Sequence, residues 1–332
     1  MDDNIMNLDD FLEAIKDKLG EYYGDECKVT INTVTKNNGN LKHGVTILRK
    51  GSTSAPNIYV DDAYEEYKNG KSMEKVTTEL ICLRNRCKDE IDFDADSFCD
   101  YEWVRERLGI KLVSRERNSK LLSDVPYKCF SDLAILFNVD VTDDEIGKGT
   151  ILIRNEHMSM WNISLDRLYE DALSSMVRRD PPYMADMVDL VIEMLEQRTG
   201  TDGYQGIDAD TIRRQMNDDN DDGNRMYILT DQSKINGASV IVYPGMLADI
   251  GRTLGSDYFV LPSSIHEVII LPADPDEDRG SELSGLVREI NETKLSPDEV
   301  LSDHAYRYHR TTNWLEPVAE QKTAEYSYEY GA

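Results

Sequence analysis

The sequence predicts an α+β protein with mostly antiparallel sheets, assembled from repeated strand–strand–helix units and packed amphipathic helices. Two observations carry this. First, one phrase is written twice: KHGVTILRK then NIYVDDAYEEYKNG from Lys42, and KGTILIRN then WNISLDRLYEDALSS from Lys148. Each copy follows a β-like run, CKVTINTV from Cys27 and DLAILFNVDV from Asp132, so a strand–strand–helix unit is reused. Second, the strand candidates come in neighbouring pairs joined by short turns, the signature of antiparallel pairing.

The elements follow in order. Leu8, Phe11, Leu12, Ile15 and Leu19 recur at helical spacing, with Asn7 as cap, Asp9 and Asp10 at the positive end and Gly20 as stop. Strands Cys27 to Thr35 and Gly44 to Lys50 are joined by the turn-rich KNNGN, and a short strand from Asn57 to Val60 leads into a helix at Asp61. Asp62 and Glu65 there have capping-box spacing. Val76, Leu80, Leu83, Cys87 and Ile91 form a helical stripe, and Phe98, Tyr101, Val104 and Leu108 a shorter one. The second copy of the unit runs from Tyr127 to Met176. After Pro181-Pro182, the residues Met184, Met187, Val188, Val191, Ile192 and Leu195 predict one amphipathic helix.

In the C-terminal third, RMYILTD and GASVIVY predict a hairpin around Lys234 to Asn236, and PGMLADIGRTLG a helix. DYFVLP and HEVIILP predict a strand pair across Ser263-Ser264. SELSGLVREINET reads as a helix with Leu283, Leu286, Val287 and Ile290 inward, and HAYRYHR with NWLEPV as a last hairpin. The expected organisation is residues 1–125 for the first helix, first unit and helical layer, and 126–199 for the second unit plus a helix. Residues 200–224 read as a polar insert or linker, 225–320 as a C-terminal α+β unit and 321–332 as a frayed tail.

The 332 residues carry 64 acidic against 37 basic side chains, a formal charge of −27. That field repels nucleic-acid backbones and anionic membranes, so neither is expected as a direct partner. It is compatible with a solvated surface or with a decoy imitating the phosphate lattice of a nucleic acid. Five cysteines without a C-x-x-C pair, and an acidic start (MDDNIMNLDD) unlike a secretory leader, predict reduced thiols and a cytoplasmic location. No apolar run approaches the ~20 residues that cross a bilayer.

MYILTD, NGASVIVYPG, DYFVLPSSIHEVIILP and VREINETKLSPDEVLSDHAYRY resemble signatures of a bacterial family catalogued as domain of unknown function 5688. NLDDFLEAIKDKL and NSKLLSDVPYKCFSDLAILF are similar to the same family, so the resemblance spans nearly the whole chain. It implies a cytoplasmic protein of gut-type bacteria, often encoded near mobile elements. It implies no established activity, cofactor or catalytic residue.

Two segments hold candidate chemistry. LPSSIHEVIILP gathers Ser263, Ser264, His266 and Glu267, the residue types of a nucleophile, a base and an orienting acid. In a continuing strand Ser264 and His266 share a face. No G-x-S-x-G elbow precedes the serine, and HE lacks the x-x-H of a zinc protease. The competing reading is a tight turn that His266 fastens. In DDNDDGN, Asp218, Asn220 and Asp222 with Gly223 match the first half of a calcium loop. The second half places Leu229 where the bidentate Glu belongs, so at most weak divalent binding is expected. No cofactor is predicted, and no phosphate-binding glycine loop occurs. His43 and His157, at similar points of the two copies, read as exposed polar residues, and His304 and His309 as facing opposite sides of a strand.

These readings converge on a non-catalytic protein that binds another, unidentified protein through sheet edges and faces. The alternatives are a hydrolase built on Ser264, His266 and Glu267, and an acidic nucleic-acid mimic that inhibits a DNA- or RNA-binding protein.

Overall fold

The computed structural model describes residues 5–52, 55–86, 95–141, 149–193, 225–274, 276 and 278–318. The architecture is α+β, with three antiparallel sheets and packed helices. The chain divides into two compact units: Met1–Phe98 with Val141–Thr150, and Cys99–Asp140 with Ile151–Ala332. Among the described residues no helix is long and apolar enough to cross a membrane.

In the first unit the opening helix is Leu8–Tyr23, capped by Asn7, whose side chain accepts from the Asp10 amide (2.9 Å). Phe11, Leu12, Ile15 and Leu19 are buried as their spacing predicts. Gly20 does not stop it. The helix runs one turn further and ends at Gly24, whose φ of 57° only glycine adopts cheaply. Strands β1 (Cys27–Thr35) and β2 (Leu41–Arg49) pair over nine residues, from Cys27↔Arg49 to Thr35↔Leu41, and β3 (Asn57–Tyr59) adds to β2. Odd-numbered Val29, Ile31, Val45 and Ile47 face the helices and share a core with Phe11, Ile15, Leu19, Val76 and Leu80. On the opposite face Asn32 Nδ2 donates to Thr46 Oγ1 (2.7 Å), which donates to Asn57 Oδ1 (3.2 Å), a polar ladder across all three strands.

Two local expectations fail here. The capping box at Asp62 and Glu65 does not form: Val60 is the N-cap of helix Asp61–Lys68 and makes no side-chain bond. In helix Met73–Arg86, Leu83 is exposed and Arg84 is buried instead, its Nε donating to the Ile47 carbonyl (3.1 Å). A guanidinium carries enough apolar stem to sit inside when its head finds carbonyls. Cys87 and Ile91 lie outside the described residues.

In the second unit the stripe through Tyr101, Val104 and Leu108 is broken. Asp100 caps a short helix, Tyr101–Arg105, and Leu108 opens strand β4 (Leu108–Ser114). β4 joins β5 (Lys128–Phe130) and β6 (Leu133–Asp140) in the order β4-β6-β5, with β7 (Thr150–Leu152) also on β6. The second copy of the written phrase is therefore wired differently from the first. β1 and β2 pair with each other end to end, whereas β6 takes β4 as its main partner, and helix Asn155–Trp161 precedes helix Leu165–Arg179.

The third sheet has the order β13-β12-β10-β11-β9-β8. Its strands are β8 (Pro182–Asp186), β9 (Tyr227–Asp231), β10 (Tyr258–Pro262), β11 (Val268–Pro272), β12 (Tyr306–His309) and β13 (Trp314–Pro317). The helix predicted from Pro181 begins only at residue 187, because Pro182–Asp186 pairs with β9; the Asp186 carboxylate accepts the Val188 amide and starts the helix there. GASVIVY is not a strand. Gly237–Val242 forms a fully buried 3-10 turn after Asn236, whose φ is 59°. The chain needs glycine at 237, where a Cβ would lie 2.1 Å from Thr230 Oγ1 and 2.6 Å from the His266 carbonyl oxygen. Helix Gly280–Lys294 lays Leu283 and Val287 on Phe259, Leu261 and Leu271. Leu286 is exposed, and Ser284 and Asn291 point inward, the first accepting the Ala305 amide and the second donating to the Ser302 carbonyl.

Candidate functional site

The serine–histidine segment forms the turn between β10 and β11. The Ser264 amide donates to the Glu267 carbonyl (3.2 Å), and Ser264 Oγ accepts the His266 amide (2.9 Å). Ser263 Oγ donates to Glu267 Oε1 (3.5 Å). His266 Nδ1 accepts the Asn236 amide (3.1 Å), and its carbonyl accepts Thr230 Oγ1 (2.8 Å). Because Nδ1 accepts, the neutral ring carries its proton on Nε2, which lies 3.9 Å from Glu299 Oε1. The structure thus brings Ser263 to Glu267 and His266 to Asn236, but among the described residues no serine hydroxyl bonds to the ring. Ser264 is buried, being only 7% exposed.

Asp218, Asn220 and Asp222 lie outside the described residues. Asp274 and Asp278 accept the amides of Asp276 and Gly280, closing local turns. Among the described residues no group of three or more His, Cys, Asp or Glu side chains is placed to hold a metal ion. His309 lies between Asp257 (3.3 Å) and Glu316 (2.8 Å). His304 lies 3.3 Å from Asp132, which also accepts the hydroxyl of the buried Tyr306 (2.8 Å). His157 Nδ1 accepts the Arg154 amide at a helix start, and burial together with the Arg154 charge pushes its pKa down.

A different histidine lines a groove in the first unit. In the first unit a groove of about 520 Å³ runs between helix Leu8–Tyr23 and β1, lined by Asp9, Leu12, Glu13, Lys16, Val29, Thr30, Ile31, Thr33 and His43. His43 sits on β2 opposite Thr33. Both oxygens of Asp61 grip it: Oδ2 accepts the His43 amide (2.9 Å) and Oδ1 accepts Nδ1–H (2.9 Å). The His43 carbonyl in turn accepts the Val60 amide (2.9 Å). A carboxylate only accepts, so the Nδ1 proton is fixed, and in the neutral ring Nε2 is left as an acceptor on a side chain that lines the groove. Reading the sequence missed this pair, since His43 and Asp61 are 18 residues apart and meet only through the β2–β3 register.

β1 itself is the other notable feature. The Lys50 amide donates to the Glu26 carbonyl and the Lys36 amide to the Asn40 carbonyl, so even-numbered backbone groups turn toward β2. In an unbroken antiparallel ladder the alternation then turns the amides and carbonyls of Cys27, Val29, Ile31, Thr33 and Thr35 outward. No strand among the described residues pairs with that side.

The sequence matches a family described as "Family of unknown function (DUF5688)" over residues 8–310. No curated protein and no solved structure matches the chain.

Proposed function

The chain belongs to that DUF5688 family, and on that premise we propose that it works by binding another protein, taken up as an extended segment laid along β1. The observation that carries this is the contrast between β1 and every other sheet edge. β1 is nine residues long, holds one charged side chain (Lys28) and no proline, and presents alternate backbone groups outward. β3, β5 and β7 have three residues each. β8 opens with Pro182 and β13 closes with Pro317, and both are short. β4 is longer but buried, with Arg179 donating to the Leu108 carbonyl. Proline, shortness and cover by a further strand are the usual protections of an edge, and among the described residues β1 has none of them. An open edge beside a groove is the arrangement for strand addition, in which main-chain bonds give affinity and side-chain pockets give selectivity.

Thr33→Pro tests it. Thr33 is exposed and its amide faces outward, so proline removes one edge donor while leaving the β1–β2 ladder intact. Immobilised wild type and variant, matched by circular dichroism, are screened against a library of extended peptides. Wild type is expected to retain binders that the variant loses by about tenfold or more. Equal retention by both proteins rejects strand addition.

A further inference from the structure

Resting on that reading, we infer that the segment bound along β1 is cationic, and that its lysine or arginine head is received by the Nε2 of His43. Three features of the groove combine. Asp61 holds the imidazole by one bond, at Nδ1, while its other oxygen takes the His43 backbone amide, so the carboxylate is anchored, the Nδ1 proton is fixed and the neutral ring presents Nε2 as an acceptor. His43 makes no other side-chain bond among the described residues, and its side chain is 19% exposed, so the acceptor is reachable but partly desolvated. The facing helix contributes Asp9 and Glu13, with Lys16 3.9 Å from Glu13 as the one cation of the lining.

Such a wall discriminates by charge. With Glu13 offset by Lys16, the lining keeps a net negative charge from Asp9, so a cationic donor meets one acceptor lone pair and a favourable field, whereas an acidic side chain meets repulsion from Asp9 and the chain's overall charge of −27. Thr33, directly opposite His43, fixes where along the segment this occurs. A residue added beyond Thr33 on the open edge lies one strand spacing, about 4.8 Å, further out. A long lysine or arginine stem spans that gap while a short hydroxyl side chain does not. Asp61 is a positioning residue, and His43 the residue that touches the ligand.

The probe is a synthetic peptide of about nine residues, alternating threonine and valine, with lysine at its centre. Its companions carry norleucine, Nε-acetyl-lysine or glutamate at that position. Binding is measured by fluorescence anisotropy to wild type, His43→Phe, Asp61→Asn and Thr33→Pro, each checked by thermal melting. Wild type is expected to prefer lysine over norleucine by about tenfold and over acetyl-lysine similarly, with glutamate weakest. His43→Phe keeps a ring but no acceptor, and is expected to bind lysine and norleucine peptides alike. Asp61→Asn is expected to lose part of the preference with little change for norleucine. A preference for lysine that survives intact in both variants overturns the assignment to His43, while strand addition stands if Thr33→Pro still abolishes binding. Undiminished binding of every peptide to Thr33→Pro overturns strand addition itself.

Discussion

The three-stranded and six-stranded sheets of this protein handle their surfaces in opposite ways. The three-stranded sheet covers one face with helices, leaves the other to an Asn32–Thr46–Asn57 ladder and ends in the open β1. The six-stranded sheet buries its central strand throughout, every residue of β10 being inaccessible, and finishes at both edges in short strands bounded by proline. The first pattern retains hydrogen-bonding capacity at the surface. The second uses it internally and invests in packing. The proposed recognition therefore falls on the first sheet, and the tighter packing on the second.

The sharpest way to break this contrast is to place a charge in each sheet. Val260 is fully buried at the middle of β10, and Val260→Asp is expected to cost about 4 kcal/mol or more, because a buried carboxylate there has no partner. Thr30→Asp on the open face of β1 is expected to stay within about 1 kcal/mol. Urea denaturation followed by tryptophan fluorescence and circular dichroism compares them. Similar losses for both substitutions erase the distinction.

The same contrast explains what was legible in the sequence. DYFVLP and HEVIILP are short apolar runs closed by proline, and they are the adjacent strands β10 and β11. GASVIVY has equal apolarity yet folds as a buried 3-10 turn, since hydrophobicity reports burial and not backbone geometry. Alternation exposed β1 and β2 at once, because one face is wet. The turn around His266 was visible as a local cluster, but its partners Thr230, Asn236 and Glu299 arrive from distant segments. The His43–Asp61 pair was illegible for the same reason: neither residue has a local signal, and strand register creates the contact.

A next smaller effect tests how closely the six-stranded sheet packs against its neighbours. Gly237→Ala drives a methyl into Thr230 Oγ1, the His266 carbonyl and the Asp231 amide, two of them backbone atoms. The expected loss is about 3 kcal/mol, read as a lower urea midpoint. An unchanged midpoint means that the β9 turn and the His266 turn are not tightly docked.

Two carboxylates in the second unit are expected to give opposite pH dependences. Burial pushes Asp132 up, but hydrogen bonds from His304 and Tyr306, with the His304 charge, outweigh it and leave its pKa below the usual value. Its contribution is present above the unfolded carboxylate pKa and lost as pH falls through the folded one. Asp132→Asn should therefore flatten the acid limb of stability, by about 1 kcal/mol at most given its exposure. Asp231 is fully buried with one oxygen unpaired, and burial, then Asp180, raises its pKa against bonds from Ser233 and the Lys234 and Ile235 amides. The folded state holds that proton more tightly, so stability is lost as pH rises from the unfolded pKa through the raised one. Asp231→Asn is expected to gain on wild type across that window. Parallel pH profiles for the two variants contradict the assignment.

The smallest expected effect lies on the open face of the first sheet. Asn32→Ala removes one rung of the ladder to Thr46 while leaving the Thr46–Asn57 bond in place. Water replaces the lost partner on an exposed face, so the cost should be about 0.5 kcal/mol, well below that of a buried polar group. The measurement that matters is peptide binding at β1. If strand addition uses the edge alone, Asn32→Ala leaves affinity unchanged while Thr33→Pro abolishes it, although the two residues are neighbours. Their backbone groups point to opposite sides of β1, Asn32 toward β2 and Thr33 outward. A loss of binding in Asn32→Ala would instead move the recognition surface from the edge of the sheet to its face.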